Sequence, residues 1–250
     1  ALEAWRAVLK SDPENADAWL GVAKAFAPRD SEKARAAVAN ALKTNPKHVD
    51  SLLLLADAHL DGERYAEVET ALGLVAQVNP QHPRALAYRA ILAHLRNQPA
   101  EETRFRAAAL RHWPENPAVD HLIGRKLSQK YRFAEGQAYQ RRALEANPRY
   151  LPAKVQLAQD LLRLGQEEEG LRLAQEVYEA DGYNVAAHNL VTLHEQLQKF
   201  RTLEEDGFLV RMEAREADLY GRRVLDLLKR ARRELTKTYD VELPSPIIVE

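Results

Sequence analysis

Prolines recur at positions 13, 46, 80, 114 and 148, at intervals of 33, 34, 34 and 34 residues, and one further step of 34 lands on Gly182. A chain that stops and restarts at fixed spacing is one structural unit repeated, and an ordinary helical bundle has no reason to repeat its stops so regularly. Several markers follow a polar residue that closes a helical stretch, as in Asn45-Pro46, Asn79-Pro80, Asn147-Pro148 and Asp181-Gly182. They are helix stops in register. Within a period, two stretches carry apolar residues at spacings of three and four: Leu52, Leu55, Ala56 and His59, then Gly62 in the turn, then Val68, Leu72 and Val75. That pattern predicts a helix-turn-helix unit with one buried face per helix.

Composition agrees with this reading and excludes others. The 250 residues include only ten glycines and twelve prolines, with 46% hydrophobic and 29% charged residues, the balance of a folded chain and not a disordered one. A net charge of −1 supplies no global field toward nucleic acid or an anionic surface. With no cysteine, disulfides, thiolate metal sites and thiol nucleophiles are excluded, while the compartment stays open. No apolar run approaches the roughly 20 residues of a membrane span. The opening Ala1-Leu2-Glu3-Ala4-Trp5-Arg6 does not resemble a signal peptide and reads as internal to a longer protein.

The period resembles the tetratricopeptide repeat, whose W-x2-L-G-x2-Y, A-x3-F and P pattern is echoed by Trp19, Val22, Ala23 and Phe26, then Ala34 and Val38, then Pro46. Small residues recur in the first helix as Ala56, Ala90, Gly124 and Ala158, giving way to Thr192, and late in the second as Ala41, Ala109 and Ala143. The resemblance implies an all-α chain, a right-handed superhelix of such hairpins, with repeats near 16–48, 49–82, 83–116, 117–150 and 151–184 and a partial one over 185–200. Residues 1–15 read as the second helix of a repeat whose first helix is missing. Departures are visible too: the first repeat is one residue short around Ala27 to Asp30, Arg89 and Arg106 replace apolar residues in the third, and Gly170 stands for alanine in the fifth.

After about Gln198 the pattern fails. Phe208 to Met212 alternates like a short strand. Ala214 to Tyr239 predicts a long amphipathic helix with an apolar face of Leu219, Tyr220, Val224, Leu227, Leu228, Ala231 and Leu235, and Ile247-Ile248-Val249-Glu250 follows a proline break as a β-branched strand. Residues 201–250 thus read as the start of a truncated α/β domain, strand-helix-strand. This order resembles the entry to the peptidase-MA-like, gluzincin-type zinc peptidases that some bacterial proteins carry behind tetratricopeptide arrays. Such enzymes need two histidines one helical turn apart with a glutamate between. The nearest match, His194-Glu195-Gln196-Leu197-Gln198, lacks the second histidine and reads as a solvated helix end.

No catalytic residue, metal site or cofactor is called for by the rest. The other histidines are scattered without ligand spacing, no phosphate-binding glycine loop or nucleophile elbow occurs, and the Arg and Lys pairs at 222–233 are interleaved with Glu216, Asp218, Asp226 and Glu234. Nucleic acid is therefore set aside. The family resemblance places ligand-facing side chains on the first helices, where this chain has Lys24, Asp57, Arg84, Tyr88, His121, Arg125, Gln156 and Asn189. A carboxylate clamp fails at the matching Leu20, Leu54 and Tyr88. Two readings stand for Arg84, Tyr88, His121 and Arg125: they hold an acidic peptide or protein, or they are solvated while the face contacts a missing carboxy-terminal domain of the same polypeptide. The function expected is a protein-interaction scaffold, with the alternative that the chain is the substrate- or partner-holding arm of a zinc metallopeptidase whose catalytic part lies elsewhere.

Overall fold

A computed structural model describes residues 2–249. They form thirteen helices and one three-stranded sheet, an all-α chain with a small β element near its end. The chain falls into two compact units, Ala1–Ala153 and Lys154–Glu250.

The first unit opens with α1 (Leu2–Ser11) and continues as four hairpins: α2 (Ala16–Phe26) with α3 (Ser31–Thr44), α4 (Val49–Asp61) with α5 (Tyr65–Val78), α6 (Pro83–Leu95) with α7 (Pro99–Leu110), and α8 (Pro117–Ser128) with α9 (Phe133–Ala146). The helices begin where first-turn N–H groups find acceptors. Asn15, Asp30 and Asn116 offer side-chain oxygens, and Pro83, Pro99 and Pro117 occupy first turns, where their missing N–H costs nothing.

The recurrent small residues sit where helices cross. Ala41, Ala56, Ala90 and Ala143 are all 0% exposed and Ala109 is 4%. At Gly124 a methyl group would come within 2.8 Å of the Gly136 carbonyl oxygen and 2.9 Å of Tyr139 Cβ, so α8 and α9 approach more closely than alanine permits. The two arginines of the third repeat also acquire reasons. Arg106 forks onto the buried Asp120 at 2.5 and 2.6 Å, and the Arg89 guanidinium lies 5.8 Å from the centre of the Phe105 ring.

The inter-helix turns carry a second period. Glu63, Asn97 and Tyr131 adopt left-handed φ of 57, 55 and 62°, and Gly165 in the second unit has 74°. Spaced by 34, they are the residues that reverse the chain. Gly62, the expected turn residue, has φ of −84° and only ends the helix. In the shortened first repeat Asp30 accepts from the Lys33 N–H, so the turn passes directly into a capped helix.

The second unit holds the rest of α10 (Leu151–Arg163), then α11 (Glu167–Ala180), α12 (Val185–Leu197), β1 (Arg201–Glu205), β2 (Phe208–Met212), α13 (Ala214–Tyr239) and β3 (Ile247–Val249). Gly170 lets α11 lie on α10, since a methyl there would stand 3.0 Å from the Ala158 carbonyl oxygen. The helical pattern ends with α12, after which the chain forms the hairpin β1–β2 with Leu203 opposite Val210. β1 escapes sequence reading because Leu203 is its one apolar residue. Its turn, Asp206-Gly207, has φ of 49 and 77°, the left-handed pair of a tight hairpin turn. β3 then joins β2 in parallel, giving the order β1-β2-β3.

The buried face of α13 matches expectation only at Val224 and Leu228. Leu219, Tyr220, Leu227 and Leu235 are more than half exposed. Ala217, Gly221 and Leu225 face the sheet instead, with Val224 and Leu228 flanking a core of Phe208 and Val210. The reason is close approach: a methyl at Gly221 would lie 2.5 Å from Leu203 Cδ1, so the helix seats by its small residues and its bulkier stripe turns outward.

The turn geometry makes a signed prediction. A non-glycine residue in the left-handed region costs about 1 kcal/mol, and Tyr131 is 84% exposed. Tyr131→Gly is expected to raise the urea midpoint, and Gly165→Ala, at φ of 74°, to lower it by a similar amount; equal signs for the two would contradict the assignment.

Candidate binding face

The first helices of the second, third and fourth repeats converge on Asp57. Its Oδ1 accepts from the Tyr88 hydroxyl at 2.6 Å and stands 2.6 Å from Lys126 Nζ and 3.8 Å from Arg125 Nη2. Lys126 is 1% exposed and also donates to Asp61 at 2.8 Å. One turn on, Lys130 donates to Glu63 at 3.0 Å and lies 5.9 Å from the Tyr65 ring centre. Lys126 of α8 thus reaches α4 across the intervening α6, and Lys130 joins the turns that follow the two helices. Burial foremost, and then the Asp57 carboxylate, push the Tyr88 phenol well above its ordinary value, so it stays a neutral donor.

This arrangement brings together Asp57, Tyr88 and Arg125 of the expected site residues. Tyr88, expected to face a ligand, is 0% exposed and is instead the floor beneath the cluster. Arg84 is exposed and lies 3.7 Å from Asp50. His121 stands apart from the cluster: its Nδ1 pairs with Gln140 Oε1 at 2.9 Å while Gln140 Nε2 donates to the His121 carbonyl at 3.3 Å, an amide orientation that makes Nδ1 the protonated nitrogen. The ring meets Tyr150 edge-on at 5.6 Å. Lys24 is exposed. In the second unit, Gln156 donates to Asp160 at 3.0 Å, and Asn189 is exposed.

The middle of the face is therefore charge-paired. Asp50, Asp57, Asp61 and Glu63 meet Arg84, Arg125, Lys126 and Lys130. Lys126 and Asp61 were missed by the sequence reading. Their signal is their place in the repeat: Lys126 occupies the register of Leu92 and takes its burial, and a lysine at a core position requires an acid nearby.

A second polar cluster ties α6, α7 and α9 together. The Tyr139 hydroxyl donates to Glu102, and His94 Nε2 pairs with Glu135. His94 Nδ1 lies 3.0 Å from Glu102 Oε2, out of line for a hydrogen bond. At the near-match to a zinc motif, His194 Nε2 is hydrogen-bonded to the Gln198 amide at 2.9 Å. Among the described residues, no three His, Cys, Asp or Glu side chains gather as a metal would require, and no helix is long and apolar enough to cross a membrane.

Comparison with known proteins accords with the geometry. Residues 1–29 and 25–95 match profiles of the tetratricopeptide repeat, so the chain carries such repeats there. No curated protein sequence matches. Solved structures share the fold. A tetratricopeptide repeat protein from Parabacteroides merdae has 18% identity and a TM-score of 0.58 over 78% of this chain and 76% of its own. TTC0263 of Thermus thermophilus has 15% identity and a TM-score of 0.55 over 73% and 100%. The hetero-tetramer Cut9–Hcn1 of APC/C has 14% identity and a TM-score of 0.50 over 76% and 38%.

Removing Asp57 leaves the buried Lys126 ammonium with Asp61 alone and the buried Tyr88 hydroxyl without its acceptor, which costs about 2 kcal/mol, whereas Lys126→Met leaves Asp57 with Tyr88 and Arg125. Urea unfolding should place Asp57→Ala well below Lys126→Met in stability. His121 supplies a pH test. Burial holds its pKa below 6.5, so the unfolded chain takes up the proton first, and stability falls as pH drops below about 6.5. His121→Gln is expected to lose less stability than the parent between pH 7.5 and 5, measured by the same unfolding curves.

Proposed function

We propose that the chain is a protein-interaction scaffold that holds a peptide or partner domain on its first-helix face. The observation that carries this reading is the cluster of Asp57, Tyr88, Arg125 and Lys126, polar side chains packed where apolar ones of similar size would be as stable or more so. Retaining them there favours recognition over packing. Cut9, which shares the fold, forms a hetero-tetramer with Hcn1. Fold alone does not name a ligand; the charged face supplies the local argument.

A partner bearing acidic groups remains the proposal for Arg84 and Arg125, with one condition from the geometry: it must outcompete Asp50 and Asp57 for the two guanidinium groups. The missing-domain reading draws on the same surface. That the chain serves as the arm of a zinc peptidase rests on the strand-helix-strand order of β2, α13 and β3, and would need a metal-binding helix beyond Glu250 in the reading frame.

The test uses charge reversal on two surfaces. Arg84→Glu with Arg125→Glu alters the first-helix face, and Arg35→Glu with Lys43→Glu alters exposed positions of α3. With a partner recovered by the parent chain and then purified, calorimetric titration should show at least ~10-fold weaker binding for the first pair, as expected when charge-assisted hydrogen bonds are lost, and unchanged binding for the second. Equal affinities across all three proteins would remove the first-helix face from the interaction.

A further inference from the structure

Gln140 stands at the register of Val38 and Leu72, core positions 5% and 0% exposed, and is itself 0% exposed. An amide buried at such a place costs stability unless its two ends are bonded. Both are: Oε1 meets His121 Nδ1 at 2.9 Å, and Nε2 donates to the His121 carbonyl at 3.3 Å. Gly124 makes room for it, since a methyl there would lie 2.5 Å from Gln140 Nε2. The whole amide is thus used to hold one imidazole of the first-helix face in one tautomer, with the ring braced edge-on by Tyr150. Nδ1 carries the proton, so Nε2 presents a lone pair. Nε2 has no partner among the described residues and is not one of their sealed polar atoms. Burial foremost holds the His121 pKa below 6.5, and the Arg125 guanidinium adds to the lowering against the Gln140 hydrogen bond, so the ring is neutral at pH 7.5.

We propose that His121 Nε2 is a hydrogen-bond acceptor that selects the segment taken by the first-helix face: an extended peptide with an acidic side chain for Arg125 and, two residues away, an uncharged donor from Ser, Thr, Asn or Gln. The spacing follows from α8. His121 and Arg125 are one turn apart on the same face, roughly 6 Å along the axis, which is about the rise of two residues of an extended chain whose alternate side chains point the same way. The Arg125 side chain is 37% exposed and 3.8 Å from Asp57, open enough to fork onto a carboxylate from a ligand. At His121 a second carboxylate would meet a lone pair and gain nothing, and an ammonium would be repelled by Arg125. An amide N–H or hydroxyl fits both neighbours. The inference rests on the binding face proposed above and deepens it.

Two measurements test it. Long-range proton–nitrogen correlation of the histidine side chains needs no ligand: at pH 7.5 His121 should show Nδ1 protonated and Nε2 bare, and the reverse tautomer or an imidazolium overturns the proposal whatever the face binds. The second probe is an array of acetylated, amidated nonapeptides with Glu or Gln at the fourth position and Thr, Asn, Ala or Glu at the sixth, the rest Gly and Ala. With Glu at the fourth position, Thr and Asn should bind the parent at least ~3-fold more tightly than Ala or Glu, as one neutral hydrogen bond is worth. His121→Asn keeps an amide N–H where Nδ1 stood and removes the acceptor; it should bring Thr and Asn level with Ala while the preference for Glu over Gln at the fourth position, which Arg125 supplies, persists. If that variant does not fold, the parent series decides. Parent binding that is equal for Thr and Ala, or tightest for Glu at the sixth position, overturns the acceptor and leaves the scaffold reading in place, whereas no binding of any peptide removes the face and the acceptor with it.

Discussion

Close approach of helices at side chains of one carbon or none is the constraint on which the molecule rests. Ala56, Ala90, Gly124 and Ala158 place one helix of each hairpin against the next, and the turns fold as they do because the crossing leaves no alternative route. Glu63, Asn97 and Tyr131 accept an unfavourable backbone angle for this reason. The strain at each is small beside the apolar area that a closed hairpin removes from water. The same device reappears outside the repeats, where Ala217 and Gly221 seat α13 on its sheet.

Charge is handled differently at different depths. Behind the first-helix face it is resolved by close, half-buried pairs, as where Arg106 of α7 forks onto the buried Asp120 of α8. On the first-helix face the pairing runs between repeats, from α6 and α8 back to α4, and its outer members stay wet. A groove neutralised by its own side chains is selective in a particular sense. A ligand must bring charges that replace pairs already made, so a merely acidic or merely basic segment gains less than the count of exposed arginines suggests.

The architecture was legible where a physical rule acts at every repeat. Proline intervals, small-residue positions and the short first turn were all visible in the residues, because each is imposed by packing of the same unit. What escaped depends on contacts between distant segments. Lys126 could be placed on α8 by register, but only the fold brings Asp57 and Asp61 to it. Tyr88 looked like a ligand-facing aromatic because a helical wheel does not show that α4 and α8 cover it. β1 lacks alternation, and its one local signal is the Asp206-Gly207 pair that closes its hairpin. On α13, counting large apolar residues found Val224 and Leu228 but also took in the exposed Leu219, Tyr220, Leu227 and Leu235, since the closest approach to the sheet is made by Ala217 and Gly221.

The division into two units has an optical consequence. All three tryptophans fall in the first unit: Trp5 lies against Gly21, Trp19 donates its indole N–H to the Pro13 carbonyl at 2.9 Å, and Trp113 is 59% exposed. The second unit contains none. Intrinsic indole emission is thus a built-in reporter of one half of the molecule, and far-ultraviolet ellipticity of both. A melting curve followed by the two signals together resolves whether the halves unfold in concert or in turn.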